Sequence, residues 1–176
     1  MWHDIEPGER PPHIINVIVE IPKGSQNKYE YDKKRNIFKL DRVLFSPFHY
    51  PGDYGIMPQT LAEDGDALDA LVLVTNPTHP GILIECRPIA MLRLMDVGKQ
   101  DDKLLCVPKH DPRFGEARDM EDIPHQNLRE IAHFFQVYKE LEGKKVELVG
   151  WKGAEEAKRS IEKSIKLYKE EYKKSQ

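Results

Sequence analysis

Hydrophobic and polar positions alternate along the first part of the chain and recur every three to four residues towards its end. Between Ile14 and Ile21, the residues Ile15, Val17, Val19 and Ile21 share one face, and Asn16, Ile18 and Glu20 share the other. A period of two is that of a β-strand. Pro22-Lys23-Gly24-Ser25 predicts a turn. Lys28 to Asp32 alternates again, with Lys28, Glu30 and Asp32 on one face, and Ile37 to Leu44 predicts another strand. Apolar runs at Leu71–Val74, Leu104–Val107 and Val146–Val149, and a longer one at Ile82–Met95, predict buried strands. Several short strands separated by Gly and Pro turns point to a small barrel or sandwich.

Two segments carry helical spacing. Leu128, Ile131, Ala132, Phe135, Tyr138 and Glu142 form one apolar-leaning stripe, with Gly143 as the expected stop. Asn127 and Glu130 have the spacing of a capping pair, and Asp122 with Pro124 offers an earlier start. A C-terminal helix is expected over 152–174, where Ala154, Ala157, Ile161, Ile165, Tyr168 and Tyr172 line one face and Lys and Glu the other. Residues 1–13, with Pro7, Gly8, Pro11 and Pro12, read as a lead-in segment without regular structure. The length of 176 residues suits one domain, and no internal repeat is visible.

Composition narrows the class. Lys and Arg number 27 against 30 Asp and Glu, so the net charge is −3. A nucleic-acid backbone binder usually carries a basic excess, so none is expected as partner. No apolar run approaches the ~20 residues that span a bilayer, and no apolar segment follows a basic start. Cys86 and Cys106 stand alone and far apart, which makes neither a disulfide framework nor a zinc knuckle. A soluble cytoplasmic protein without membrane attachment is expected.

The densest chemistry is Asp64-Gly65-Asp66-Ala67-Leu68-Asp69, three aspartates at i, i+2 and i+5 before the apolar run Ala70–Val74. Such a cluster is compatible with a solvated turn. Like charges this close repel unless a cation sits among them, and a hard divalent ion with oxygen ligands fits. An EF-hand is excluded: counted from Asp64, position 5 is Leu68, position 6 is Asp69 and position 12 is Thr75. A second acidic set, Asp96 with Asp101 and Asp102, flanks what reads as a hairpin tip before Lys103. Glu20, Lys28, Glu30 and Arg42 lie in strand-like segments. They fit either a wet sheet face or a polar site at one end of a barrel. Tyr50-Pro51-Gly52-Asp53-Tyr54-Gly55 is tyrosine-rich, and Tyr138-Lys139 falls within the first predicted helix. Acids for several divalent ions, together with Lys, Arg and Tyr donors, suit a metal-complexed, highly phosphorylated anion.

The same residues closely resemble the soluble family I inorganic pyrophosphatases in their shorter prokaryotic form. Asp64 to Asp69 matches that family's D-x-D-x-x-D signature before an apolar strand. The resemblance also covers Glu20-Ile21-Pro22-Lys23-Gly24-Ser25, Asn27-Lys28-Tyr29-Glu30, Leu40-Asp41-Arg42, Tyr50-Pro51 with Asp53-Tyr54-Gly55, and Asp96 with Asp101 and Lys103. It ends in His133-Phe134-Phe135 followed by Tyr138-Lys139. It implies an α+β, mainly β fold: a five-stranded closed barrel of oligonucleotide/oligosaccharide-binding type, with two flanking helices. It implies hydrolysis of inorganic pyrophosphate to two phosphates with several Mg²⁺ ions per site, and a homohexamer built from two trimers. Carried over by position, Asp64, Asp69 and Asp101 would bind the first metals. Asp96 and Asp101 would hold a further one, and Glu20 with Glu30 one that arrives with substrate. Lys28, Arg42, Tyr54, Tyr138 and Lys139 would bind phosphate oxygens, with Lys103 on the substrate side and Tyr50 supporting the site. Asp66 would be the general base beside the attacking water. The competing readings are a non-catalytic, metal-dependent binding barrel, a calcium-binding structural protein, and a hydrolase of an organic diphosphate.

Overall fold

The computed structural model describes residues 1–172. Strand β1 (Ile15–Ile21) pairs antiparallel with β4 (Asp53–Ile56), and β4 with β5 (Asp69–Val72). β5 runs parallel to β8 (Lys103–Pro108), and β8 is antiparallel to β6 (Leu83–Asp96). β6 pairs back onto β1 through Leu83–Cys86, so these strands close a ring of five. The long β6 also carries the two-residue β7 (Lys99–Gln100) and β9 (Val146–Gly153) near its far end. A separate antiparallel hairpin, β2 (Asn27–Asp32) with β3 (Ile37–Val43), stands outside the ring.

Alternation along the ring strands feeds two cores. On β8, Leu105 and Val107 join the cluster that includes Phe134 and Phe135 of helix α1 (His125–Val137). Leu104 and Cys106 join the other, which includes Ala157 and Ile161 of helix α2 (Ala154–Tyr172). With one helix serving each core, β1 is buried along its whole length, Asn16 and Glu20 included. Asn16 Nδ2 is satisfied by the Glu6 carbonyl at 3.0 Å. Cys86 and Cys106 are free, buried thiols on the neighbouring strands β6 and β8. The lead-in segment holds turns and one isolated bridge, Arg10 to Ile14, yet Trp2 is buried against Tyr168 of α2.

Several boundaries differ from the pattern-based expectation. β4 was hidden in a run rich in Gly and Pro. It forms because Gly55 lets the two backbones meet: a Cβ there would lie 2.0 Å from the Ile18 carbonyl oxygen. The buried Asp53 beside it accepts hydrogen bonds from Lys23 N at 2.8 Å and Thr78 N at 3.0 Å. Helix α1 ends at Val137, so Tyr138 is its C-cap rather than a mid-helix residue. A 3₁₀ turn, Glu140–Glu142, follows, and Gly143 caps that turn in the left-handed region at φ 73°. The Asn127–Glu130 capping pair does not form; Pro124 occupies the N-cap without a side-chain bond, and Gln126 bonds Glu130 at 3.0 Å instead. Residues 152–153 belong to β9, not to the C-terminal helix, and 173–174 lie outside the described residues.

Candidate active site

One end of the ring gathers the charged residues. Asp64 and Asp66 sit on the turn before β5, where Gly65 takes φ +93°, a region that side chains rarely enter. The Asp64 carboxylate accepts the Asp66 backbone N–H at 3.0 Å, which shapes the turn. Asp69 opens β5. Asp96 closes β6, and Val97-Gly98, both at positive φ, turn the chain back through β7 to Asp101 and Lys103. Two central residues at positive φ make the tight hairpin turn that matches strand twist. Glu20 comes from β1, and Lys28 and Glu30 from β2.

The side chains interlock. Lys103 Nζ lies between Asp69 Oδ2 at 2.5 Å and Asp101 Oδ1 at 2.6 Å, and the residue is only 5% exposed. Burial alone would depress its pKa, but the two carboxylates outweigh that and hold the ammonium charged. Tyr54 donates its hydroxyl to Asp69 Oδ2 at 2.7 Å, and burial pushes its phenol well above the usual range. Lys139 Nζ donates to Asp96 Oδ2 at 2.7 Å, whereas Asp96 Oδ1 is buried without a partner. Lys28 pairs with Glu30, and with Asp41 at 3.5 Å. Glu20 accepts the Tyr31 backbone N–H at 2.8 Å. Its pKa is pushed up to about 7, first by burial and further by Asp69 and Glu30, against the lowering Tyr31 N–H and Lys28. The Asp64 pKa is raised by burial and by the charges of Asp66, Asp69 and Asp101, against the same Asp66 N–H bond.

Twelve of the fourteen residues singled out from the sequence line one cavity of about 420 Å³: Glu20, Lys28, Glu30, Tyr54, Asp64, Asp66, Asp69, Asp96, Asp101, Lys103, Tyr138 and Lys139. Arg42 and Tyr50 do not line it. Arg42 is turned to Glu142, with Nε and Nη2 each 2.9 Å from that carboxylate, and to Asp41 at 2.5 Å. Tyr50 is a core residue, its ring 5.5 Å from that of Tyr54 and 4.9 Å from that of Phe134. Sequence reasoning did not single out Lys33, whose ammonium lies 2.9 Å from Asp66 and 3.8 Å from the Trp2 ring centre. It also placed Glu142 only on the helical stripe and gave it no part in the site, whereas its side chain is 7% exposed and grips Arg42. Nothing in the local pattern marks either residue, because each partner is distant along the chain.

The donors suit a hard cation. Five aspartates and two glutamates offer only oxygen, and the orphaned Asp96 Oδ1 is an acceptor in want of a partner. Among the described residues, no three such side chains close around a single point. Lysine ammoniums pair with them instead: Lys103 between Asp69 and Asp101, Lys139 with Asp96, Lys28 with Glu30 and Lys33 with Asp66. A loose ring of acids suits Mg²⁺, which keeps much of its water and takes few carboxylates per ion.

Comparison with known proteins gives one consistent answer. A family model described as inorganic pyrophosphatase matches residues 17–169. The inorganic pyrophosphatase of Geobacillus stearothermophilus is 54% identical over 158 residues, which cover 90% of this chain and 96% of that protein. That of Haloferax volcanii is 49% identical over 173 residues, 98% of both chains. The crystal structure of the inorganic pyrophosphatase from Thermus thermophilus matches with a TM-score of 0.92 and 41% identity, covering 96% of this chain and 98% of that one. Sequence and fold therefore agree along nearly the whole length of the chain, which belongs to the inorganic pyrophosphatase family, in its soluble family I branch.

Proposed function

We propose that the protein hydrolyses inorganic pyrophosphate to two phosphates, with several Mg²⁺ ions in the site and Asp66 as general base. The convergence of seven carboxylates, five lysines and four tyrosines on a single cavity carries this reading. Asp64, Asp69 and Asp101 would hold the first ions, Asp96 with Asp101 a further one, and Glu20 with Glu30 one that enters with substrate. Bound Mg²⁺ supplies charge neutralisation of the substrate and a more acidic water.

The chain's own groups do the rest. Asp66, on the exposed turn, receives the proton of the attacking water. Lys28, Lys139 and the hydroxyls of Tyr54 and Tyr138 bind phosphate oxygens. Lys103 holds Asp69 and Asp101 together while facing the substrate side. Arg42 exchanges its paired bond to Glu142 for one to phosphate, since its planar fork fits either anion. Tyr50 supports Tyr54 from behind.

The test is phosphate release from pyrophosphate across a Mg²⁺ titration, with ATP in parallel. Rapid Mg²⁺-dependent release from pyrophosphate alone is expected. Release from ATP or an organic diphosphate alone would change the substrate, and no release from a folded sample would return the site to a binding role. The same reading places the protein in the cytoplasm as one domain over residues 1–176, without a nucleic-acid partner, assembled as a hexamer of two trimers. Sedimentation would check the assembly. Among the described residues, no helix is long and apolar enough to cross a membrane.

A further inference from the structure

Asp101 and Asp102 are neighbours in sequence, but their carboxylates leave the hairpin on opposite sides. Asp101 and Lys103, two residues apart, share the face that meets the catalytic cavity. Asp102 turns away from it. Its carboxylate accepts from Arg93 Nε at 3.2 Å, Arg93 Nη2 at 3.2 Å and Gln100 Nε2 at 2.8 Å, and its side chain is 5% exposed. Arg93 Nη1 also reaches Glu156 of α2 at 3.8 Å, so the arrangement ties the hairpin to the helix.

The space behind the hairpin explains why a tie is needed there. A second cavity, of about 230 Å³, lies on that side, with Arg93, Gln100 and Asp102 on one wall and Glu156 and Lys163 of α2 on another. Gln100 borders both cavities and stands in the partition between them. The hairpin tip has no apolar anchor of its own, since Val97 is 83% exposed. Close packing fixes side chains elsewhere in the ring, but at this position fixed polar bonds must do it.

We propose that Asp102, clamped by Arg93 and Gln100, is a positioning residue: it aims the Asp101 carboxylate into the catalytic cavity and thereby sets metal affinity. It contacts neither substrate nor reacting atoms. The inference rests on Asp101 being a metal ligand, as proposed above. It predicts a defect in metal binding that saturating Mg²⁺ repairs.

Asp102→Ala and Arg93→Gln are compared with the unchanged full chain by calorimetric Mg²⁺ titration without substrate, by the Mg²⁺ dependence of phosphate release, and by melting temperature. Groups that orient a metal ligand are worth about 10- to 100-fold in affinity, so each variant is expected to need about tenfold more Mg²⁺. At saturating Mg²⁺, kcat is expected to return to within about twofold, because no contact made only in the transition state is lost. Asp102→Asn, which keeps one acceptor for Arg93, is expected to fall in between. Arg93→Gln separates a brace from a ligand: a brace gives the same shift as Asp102→Ala, and a ligand role for Asp102 gives none. A lower melting temperature with unchanged Mg²⁺ affinity would overturn the proposal, as would a kcat that saturating Mg²⁺ fails to restore. If Asp102→Ala does not fold, the Arg93→Gln titration decides alone. An unchanged chain that binds no Mg²⁺ would instead sink the metal reading of Asp101 itself.

Discussion

Two regions of the site are built in opposite ways. The acid wall, formed by the Asp64–Asp69 turn and the β6–β8 hairpin, grows out of the closed ring, and its key cation Lys103 is buried between two carboxylates. The β2–β3 hairpin, which carries Lys28, Glu30 and Arg42, is a sheet of its own whose residues are half-buried or exposed. One region is held by the core of the fold, and the other by the Lys33–Asp66 and Arg42–Glu142 ion pairs together with partly buried contacts of Tyr29, Tyr31 and Phe38. The contrast teaches that rigidity is spent on Asp69, Asp101 and Lys103, whereas Lys28 and Arg42 sit where they can exchange partners.

Substitutions test that contrast. Asp66→Asn should lower turnover by about 10²- to 10⁴-fold, the usual cost of removing a general base. Its Mg²⁺ binding should stay close to that of the unchanged chain, and near-normal turnover would show that another group takes the proton. Lys103→Met should act on the fold as well as on activity. It leaves Asp69 and Asp101 facing each other without their counter-charge, and breaking a buried pair costs about 3–5 kcal/mol. Denaturant unfolding without metal would read that loss, and Mg²⁺ should recover part of it. Lys28→Ala, on the outer hairpin, should raise KM while moving stability by no more than about 1 kcal/mol, as for other partly solvated pairs. Equal stability losses at Lys103 and Lys28 would erase the distinction between the two regions.

Protonation sharpens the comparison further. Glu20 has a pKa raised to about 7, mainly by burial, whereas an unfolded glutamate titrates near its ordinary value. The folded state therefore binds the proton more tightly, so this group's contribution is fully present at low pH and is lost as pH rises through about 7. Melting curves of the metal-free protein should show this decline, and Glu20→Gln should flatten it. The smallest expected effect is at the turn between Asp96 and Lys99. Val97 is β-branched at φ 50°, a backbone region that Asn tolerates better, so Val97→Asn should stabilise by ~0.5–1 kcal/mol without changing activity.

Much of this was legible along the chain, for identifiable reasons. β1 declared itself through its alternation, and β6 and β8 through continuous apolar runs. β4 did not, since Gly52, Gly55 and Pro51 read as a turn until the close approach to Ile18 is known. Tyr138 kept the helical spacing because, as C-cap, it stays in the right-handed helical region and its N–H still bonds the Phe134 carbonyl. Twelve candidate site residues converge on the cavity. Arg42 and Tyr50 stand apart from it: their partners Glu142 and Phe134 lie 100 and 84 positions further along, respectively. Long-range partners such as Lys33 with Asp66 leave no local trace either.

The two thiols on β6 and β8 have a use of their own. Burial drives both Cys86 and Cys106 far above the ordinary thiol range, so neither presents a reactive thiolate in the folded chain. Alkylating reagents and mild oxidants should pass the native protein by and mark only molecules whose ring has opened. The chain thus carries an internal clock for its own unfolding: the rate at which cysteine becomes labelled counts openings of the ring, with no reporter residue introduced.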